Sequence, residues 1–177
     1  MTLLFIFLFS FFAVSGDDMP VSKQGRRNLE KSLAQVFPGH RLSKEKLILN
    51  RPDIDDTEIL NADGKWFALN ENNHTIAWLL VDRTWGRYHE FEYMMVADTT
   101  LRVIDVTVVY YPASNGTGVK DRQWLSGFNG FSPTLLPVFQ TNIDAVSGAT
   151  ISTGSLSESI GKSLIILGKL QKAGLLK

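Results

Sequence analysis

The sequence predicts an α+β fold, a single domain in which an antiparallel sheet of four to five strands packs against flanking helices. Between residues 58 and 111 the apolar residues occur in short runs separated by turn residues, a pattern typical of successive strands. On either side of this region they recur every three to four positions, as in amphipathic helices. A chain of 177 residues is long enough for one domain with its own core.

The chain begins with an apolar segment. Leu3–Val14 consists almost entirely of Leu, Phe and Ile, and small residues follow at Ala13–Gly16. A transmembrane helix needs about 20 residues, so this shorter run is typical of a signal-peptide core. We expect residues 1–16 to be a cleaved signal peptide, or else a short anchor. The protein is then exported to the periplasm or another extracytoplasmic space.

Residues 17–57 are expected to form an N-terminal helix and a linker. The helix is predicted over Asn28–Phe37, because Leu29 and Leu33 share one face and Pro38-Gly39 ends the pattern. Lys44–Leu49 fits either a short strand or a helix.

The predicted strands follow one another without an intervening helix. Glu58–Leu60 and Lys65–Leu69 are expected to pair as a hairpin around the Asp-Gly turn in Asn61–Gly64. The remaining strands are predicted at Thr75–Arg83, Tyr88–Ala97 and Leu101–Tyr111. The last of these is the richest in Val and Ile, which favour strands.

Composition excludes several classes of function. Lys and Arg together number 18, as do Asp and Glu, so no net charge favours nucleic acid. The absence of cysteine excludes disulfides, thiolate metal sites, iron–sulfur clusters and covalent c-type haem. His40, His74 and His89 show no spacing typical of metal ligands. We therefore predict no metal site.

The stretch from Asp144 to Gly154 is rich in small and hydroxyl-bearing residues and leads into a helix. Ser155 and Glu158 have the spacing of a capping box, which predicts that the helix begins there. Leu156, Ile160, Leu164 and Leu167 then recur at helical spacing. Free amides at a helix N-terminus attract phosphate, and Thr150 and Ser152 add hydroxyls. An N-cap with spare hydroxyls accounts for the same residues equally well.

The order Asp144-x-x-Ser147-Gly148-Ala149-Thr150 resembles the flavinylation motif of the FMN-binding domain family. That family includes flavin-carrying components of the sodium-translocating NADH:quinone oxidoreductase and of the Rnf complex. The resemblance covers residues 92–170 of a domain predicted at 58–177, and it is closest to the small exported members.

The resemblance implies that FMN is joined to Thr150 by a phosphoester. A separate Mg-dependent flavin transferase would make this bond, with FAD as the donor. The resemblance also implies that the neighbouring residues contact the cofactor, namely Asp144, Ser147, Gly148, Ala149, Ile151, Ser152 and Thr153.

A second segment extends the resemblance. The loop Pro112–Gly118 is followed by a predicted short helix at Asp121–Phe128, and Phe128-Asn129-Gly130 resembles a turn of the same family. The family pattern implies that this segment closes over the flavin ring through Gly116, Gly118, Trp124 and Phe128. A surface loop with a Trp anchored in the core explains the segment as well.

The resemblance implies an electron carrier whose partners are the transferase and a redox protein, such as a membrane electron-transfer complex. Two alternatives remain open, a flavin-dependent reductase of a small molecule and a non-catalytic module that senses or assembles by holding flavin. The sequence contains no pair of general acid and base with a site around it, so no catalytic residue is predicted. A carrier is therefore favoured over an enzyme.

Overall fold

The computed structural model describes residues 19–176, and these residues form a five-stranded antiparallel sheet with helices on both faces. The strands are β1 (Ser43–Lys46), β2 (Trp66–Glu71), β3 (His74–Trp85), β4 (Glu90–Asp98) and β5 (Val103–Tyr110). The helices are α1 (Lys23–Val36), α2 (Thr57–Leu60), α3 (Arg122–Ser126) and α4 (Thr150–Lys172), with a 3₁₀ turn at Thr117–Lys120. The predicted α+β fold is confirmed.

Each strand pairs with the next one along the chain, so the sheet is a simple meander. Strand β4 lies next to the middle strand and is buried on both faces. Phe91, Tyr93 and Met95 point to the face that α4 covers, and Met94 and Val96 point to the face that α1 covers. This alternation follows the two-residue period of a strand and divides the core into two layers.

Helix α4 covers one face of the sheet with a fully buried stripe. Its members recur every three to four residues and are 0% exposed: Leu156, Ile160, Leu164, Leu167 and Leu170. Small residues on the same side, Ser157 and Gly161, are also buried and let the helix approach the rest of the core. Burial of this stripe removes apolar surface from water and stabilises the fold.

The prediction that α4 begins at a Ser155 capping box is wrong, because the helix begins at Thr150. The amide of Thr153 already donates to the carbonyl of Ala149 at 2.9 Å, so Ser155 lies inside the helix. Glu158 does not reach back to a cap but pairs with Lys162 at 2.7 Å. The burial of Ser152 and Thr153 extends the packed side of the helix toward its N-terminus.

Helix α1 packs on the other face through Leu29 and Leu33, and it begins at Lys23, earlier than predicted. Its N-cap, Ser22, explains this start. The Ser22 hydroxyl accepts from the amide of Gly25 at 3.0 Å and donates to the buried carboxylate of Glu92 at 2.9 Å. The Ser22 amide donates to the same carboxylate at 2.8 Å, which stabilises the buried charge.

The predicted hairpin of Glu58–Leu60 with Lys65–Leu69 is wrong. Residues Thr57–Leu60 form helix α2, because the Asp56 carboxylate caps it by accepting from the amides of Glu58 and Ile59. Strand β2 pairs with β1 and with β3 instead. The tight turn lies between β2 and β3, where Asn72 and Asn73 have φ of 50° and 64°. Two consecutive residues with positive φ are typical of a type I′ hairpin turn.

Other boundaries agree with the sequence to within a few residues. The ambiguous Lys44–Leu49 segment contains strand β1, and the short helix predicted at Asp121–Phe128 is present as α3. The expected signal peptide at residues 1–16 lies outside the described residues.

The buried stripe of α4 predicts a contrast between two adjacent residues. Leu164→Ala should lower the free energy of unfolding by about 2–5 kcal/mol, because it leaves a cavity in the core. Ile165→Ala should cost about 1 kcal/mol or less, because that side chain is 43% exposed. Urea unfolding followed by circular dichroism measures both values. Equal costs would contradict the assigned orientation of α4.

Candidate functional site

A cavity of about 630 Å³ lies where three segments meet at one end of the sheet. Strands β3 and β5 run in the same direction because both are antiparallel to β4, so their C-terminal ends lie at this end. The turn after β3, the loop after β5 and the start of α4 supply the walls, as Gly86–His89, Tyr111–Gly118 and Ser147–Ser152. The volume is within the range of about 300–1,000 Å³ that small-molecule sites occupy.

The start of α4 contributes backbone donors that have no hydrogen-bond acceptor among residues 19–176. The first hydrogen bond within the helix is donated by Thr153, so the amides of Thr150, Ile151 and Ser152 precede it. The N-cap residue, Ala149, has no side chain that can accept from them. Free amides and the positive end of a helix dipole are favourable surroundings for an anion such as phosphate.

Thr150 presents its hydroxyl at this helix end. The residue is exposed and lines the cavity. Its Oγ1 lies 3.5 Å from the Val146 carbonyl oxygen, which is at the limit of a hydrogen bond. Within residues 19–176, no His, Asp or Glu side chain hydrogen-bonds to this hydroxyl. The hydroxyl is therefore accessible, and none of these side chains is hydrogen-bonded to it in a position to take its proton.

Gly148, two residues before Thr150, leaves open space beside the backbone. Gly148 has φ of 74°, and nothing lies within 4 Å of where its Cβ would be. Ser147 is exposed and lines the cavity beside Gly148. A ligand can therefore approach the backbone at this point without meeting a side chain.

A hydrogen bond between Tyr111 and Ser152 joins the β5 loop to α4. The two hydroxyl oxygens are 2.9 Å apart, and Ser152 is only 3% exposed. The Tyr111 ring also packs against Phe91, with centroids 5.2 Å apart. This junction fixes the distance between the loop and the helix end.

Glycines allow the segments to meet at this junction. A Cβ on Gly86 would lie 3.1 Å from Ser152 Oγ, and a Cβ on Gly116 would collide with the Tyr111 hydroxyl. Gly116 also has φ of 78°, which disfavours any other residue. A Cβ on Gly118 would lie 2.7 Å from Val146 Cγ1. Gly116 and Gly118 thus line the cavity, and both allow a close approach of the chain.

The structure does not bring all the sequence-predicted site residues to the cavity. Thr153 is fully buried, and its hydroxyl donates back to the Ala149 and Thr150 carbonyls. Phe128 is also fully buried and contacts the Trp124 ring edge-on at 5.2 Å. Neither aromatic residue lines the cavity, so neither can close over a ligand there.

Trp124 has a different role, because it contacts the segment that precedes α4. Its indole N–H donates to the Asp144 carbonyl at 2.7 Å. The Asp144 residue is exposed and lies outside the cavity walls. This hydrogen bond therefore holds the segment before Thr150 in place, on the side that faces away from the cavity walls.

The turn between β3 and β4 also lines the cavity, and it was not among the site residues expected from the sequence. Arg87, Tyr88 and His89 line the cavity, and all three are exposed. The Arg87 guanidinium lies 5.2 Å from the centroid of the Tyr88 ring. Arg87 adds a cation that suits a phosphate, and Tyr88 adds an aromatic face. The available signal in the sequence was a basic and aromatic turn between two predicted strands.

Comparisons with known proteins identify no relative, so any functional assignment depends on the geometry of the site. No protein-family model matches the chain, and no curated protein has significant sequence similarity to it.

Within the described residues, no three His, Asp or Glu side chains are grouped to hold a metal ion. The helices among residues 19–176 include none with both the length and the apolar character of a membrane span.

The close approach of Gly116 to the Tyr111 hydroxyl can be tested with a double-mutant cycle of unfolding free energies. Gly116→Ala should lower the free energy of unfolding by about 1–3 kcal/mol, because it adds both positive-φ strain and a steric clash. Gly130→Ala is the matched control, since its φ is 90° but its surroundings are open. Tyr111→Phe removes the clashing oxygen, so Gly116→Ala should cost less in that background. An unchanged cost, measured by urea unfolding, would contradict the described junction.

Proposed function

We propose that this protein carries FMN, joined through a phosphoester to Thr150, and that it transfers electrons outside the cytoplasm. The observation that supports this most is the exposed Thr150 hydroxyl beside the unpaired amides of α4, at the edge of the 630 Å³ cavity. The resemblance of Asp144–Thr150 to a flavinylation motif agrees with this chemistry.

The phosphate end of the proposed site draws on three features of the chain. The amides of Thr150, Ile151 and Ser152 supply donors, and Gly148 leaves space for a close approach. Arg87 lines the same cavity and adds a positive charge. These groups bind and orient a phosphate that is esterified to the neighbouring hydroxyl.

The remaining space suits the rest of the cofactor. The glycine loop offers backbone groups, and Tyr88, which is 63% exposed, offers an aromatic face. When bound, a flavin accepts two electrons and can release them singly. The residues that line the cavity would hold and orient the group, which would pass its electrons to a redox partner.

A separate transferase is part of the proposal because no acidic or basic side chain among residues 19–176 is hydrogen-bonded to the Thr150 hydroxyl. In the attachment step, the Thr150 Oγ1–phosphorus bond forms and the phosphorus–oxygen bond to the AMP half of FAD breaks. AMP leaves, and the hydroxyl proton passes to the transferase or to water. Asp144 is exposed and outside the cavity, which suits recognition by the transferase better than contact with FMN.

A carrier is favoured over a reductase by the character of the cavity walls. His89 is exposed, and Thr150 has no acid–base partner among the described residues. Trp85, Tyr88 and Ile151 are 60%, 63% and 52% exposed near this end of the molecule. Large exposed apolar side chains of this kind suit a protein partner such as a membrane electron-transfer complex.

The attachment site is tested by replacing Thr150. After co-expression with a flavin transferase, wild-type protein should fluoresce in a denaturing gel, and Thr150→Ala and Thr150→Val should not. Thr117→Ala is the matched control, because Thr117 is exposed and lines the same cavity. Persistent fluorescence of Thr150→Ala would refute the assignment, provided circular dichroism shows that all variants fold.

The carrier role is tested by stopped-flow spectroscopy of the flavin-loaded protein. A strong one-electron donor should reduce the flavin within seconds, and a cytochrome should then reoxidise it. We expect no saturable turnover of a small acceptor. Such turnover, lost in Thr150→Ala, would favour the reductase, and a flavin that resists reduction would favour the sensor or assembly module.

Export is tested on protein from the native host. We expect the mature chain to lack residues 1–16, and N-terminal sequencing or intact mass measures this directly. A retained N-terminus would instead indicate an anchor.

A further inference from the structure

Positive charge is concentrated in one part of the fold. Residues 19–52 contain eight Lys and Arg but only two Asp and Glu, whereas the whole chain has 18 of each class. This part of the chain forms α1 and the edge strand β1. The two elements meet where Lys44 of β1 pairs with Glu30 of α1 at 2.9 Å. The α1 side of a protein with no net charge is therefore basic.

Three of these cations lie along the side of α1 that faces away from the sheet, and we call them the outward stripe. Lys23, Arg27 and Lys31 recur every four residues, so they share one side of the helix. All three are exposed, whereas Leu29 and Leu33 on the opposite side are buried against the sheet. The stripe is therefore presented to the surroundings of the protein.

The outward stripe is electrostatically unfavourable for the helix itself. Like charges four residues apart repel, and both Lys23 with Arg27 and Arg27 with Lys31 have this spacing. Lys23 is also the first residue of α1, where the positive end of the helix dipole disfavours a cation. None of the three pairs with an acidic side chain among residues 19–176. An anionic surface beside the stripe would relieve both unfavourable effects.

The form of this surface favours a lipid bilayer over a protein or a small ligand. The stripe spans about 12 Å along the outside of a helix, which is convex. No residue of α1 lines either of the two cavities described for residues 19–176. Protein interfaces are enriched in aromatic residues and depleted of Lys, and α1 contains no aromatic residue. Anionic headgroups require only the positive charge.

The position of α1 in the sequence also favours a bilayer. The helix follows closely on the apolar segment Leu3–Val14, which lies outside the described residues. Whether that segment is a signal peptide or an anchor, it brings α1 close to a membrane. An apolar segment and a basic surface together bind a bilayer more firmly than either does alone.

We propose that the outward stripe of α1 binds the surface of an anionic phospholipid bilayer, with its Lys and Arg side chains at the headgroup phosphates. Helices α1 and α4 cover opposite faces of the sheet, and no residue of α1 lines the first cavity. Contact with a bilayer through α1 therefore leaves the cavity beside Thr150 open.

The proposal is tested by sedimentation of the full chain with vesicles. One set of vesicles is phosphatidylcholine alone, and the other has equal parts of phosphatidylcholine and anionic phosphatidylglycerol. The stripe variant combines three substitutions in α1, namely Lys23→Gln, Arg27→Gln and Lys31→Gln. The control variant removes the same charge from exposed residues outside α1, namely Arg102→Gln, Lys120→Gln and Lys172→Gln.

We expect the stripe variant to bind the mixed vesicles about 100-fold more weakly than wild type, since each cation near an anionic surface strengthens binding about fivefold. The control variant should stay within about threefold of wild type, because salt screens charges that lie far from the lipid. All three proteins should bind neutral vesicles equally. Salt at about 1 M should release wild type from the mixed vesicles down to its binding on neutral ones.

Equal binding of wild type to the two kinds of vesicle would overturn the proposal, and so would equal losses in the stripe and control variants. Polyglutamate and a single-stranded oligonucleotide serve as competitors. Tighter binding of either one than of the mixed vesicles, lost in the stripe variant, would assign the stripe to a protein or a nucleic acid instead.

Urea unfolding shows whether the stripe has a structural role. The stripe variant should be at least as stable as wild type, because it loses the repulsion between like charges. A lower stability would contradict the electrostatic cost from which the proposal starts. The salt dependence of wild-type binding tests the proposal without any variant.

The vesicle result is independent of the flavin proposal. Thr150→Ala should bind the mixed vesicles as wild type does, because Thr150 begins α4 on the other face of the sheet. Flavin attachment can therefore fail while lipid binding persists, and the reverse also holds. A loss of vesicle binding in Thr150→Ala would contradict the separation of the two surfaces.

Discussion

The packing of α4 on the sheet is the interaction on which the rest of the structure depends. Its buried stripe, from Leu156 to Leu170, fixes both the rotation of the helix and its position along the sheet. The N-terminus of the helix is thereby held at the end where β3 and β5 finish. Because apolar cores are closely packed, the helix cannot slide to another position without opening cavities.

This constraint sets the character of the helix N-terminus. At the helix N-terminus, packing stops, and Thr150 with its free amides is left beside an open cavity. This feature suits a phosphate, since it combines donors with a positive dipole end.

The apolar periodicity predicted the strands of the meander and the stripe containing Leu156, because burial depends mainly on local spacing there. The start of α4 was misplaced because the Ser155 capping pattern is local, whereas the true start depends on tertiary burial of the preceding turn. The Asp56 cap of α2 was obscured by a strong turn signal after it. The sequence could not decide whether Phe128 faces a ligand or the core. The sequence also could not show that Arg87 lies beside the Ser147–Thr150 segment, because strand pairing brings the two together.

The central claim is that the hydroxyl at the start of α4 carries the cofactor. The most direct measurement is intact mass, followed by peptide mapping, of wild-type protein co-expressed with a flavin transferase and supplied with flavin. The account predicts a mass increase of one FMN phosphoester, with the modification on Thr150. An unchanged mass from a transferase that modifies its own known acceptor, or a flavin on another residue, would contradict it.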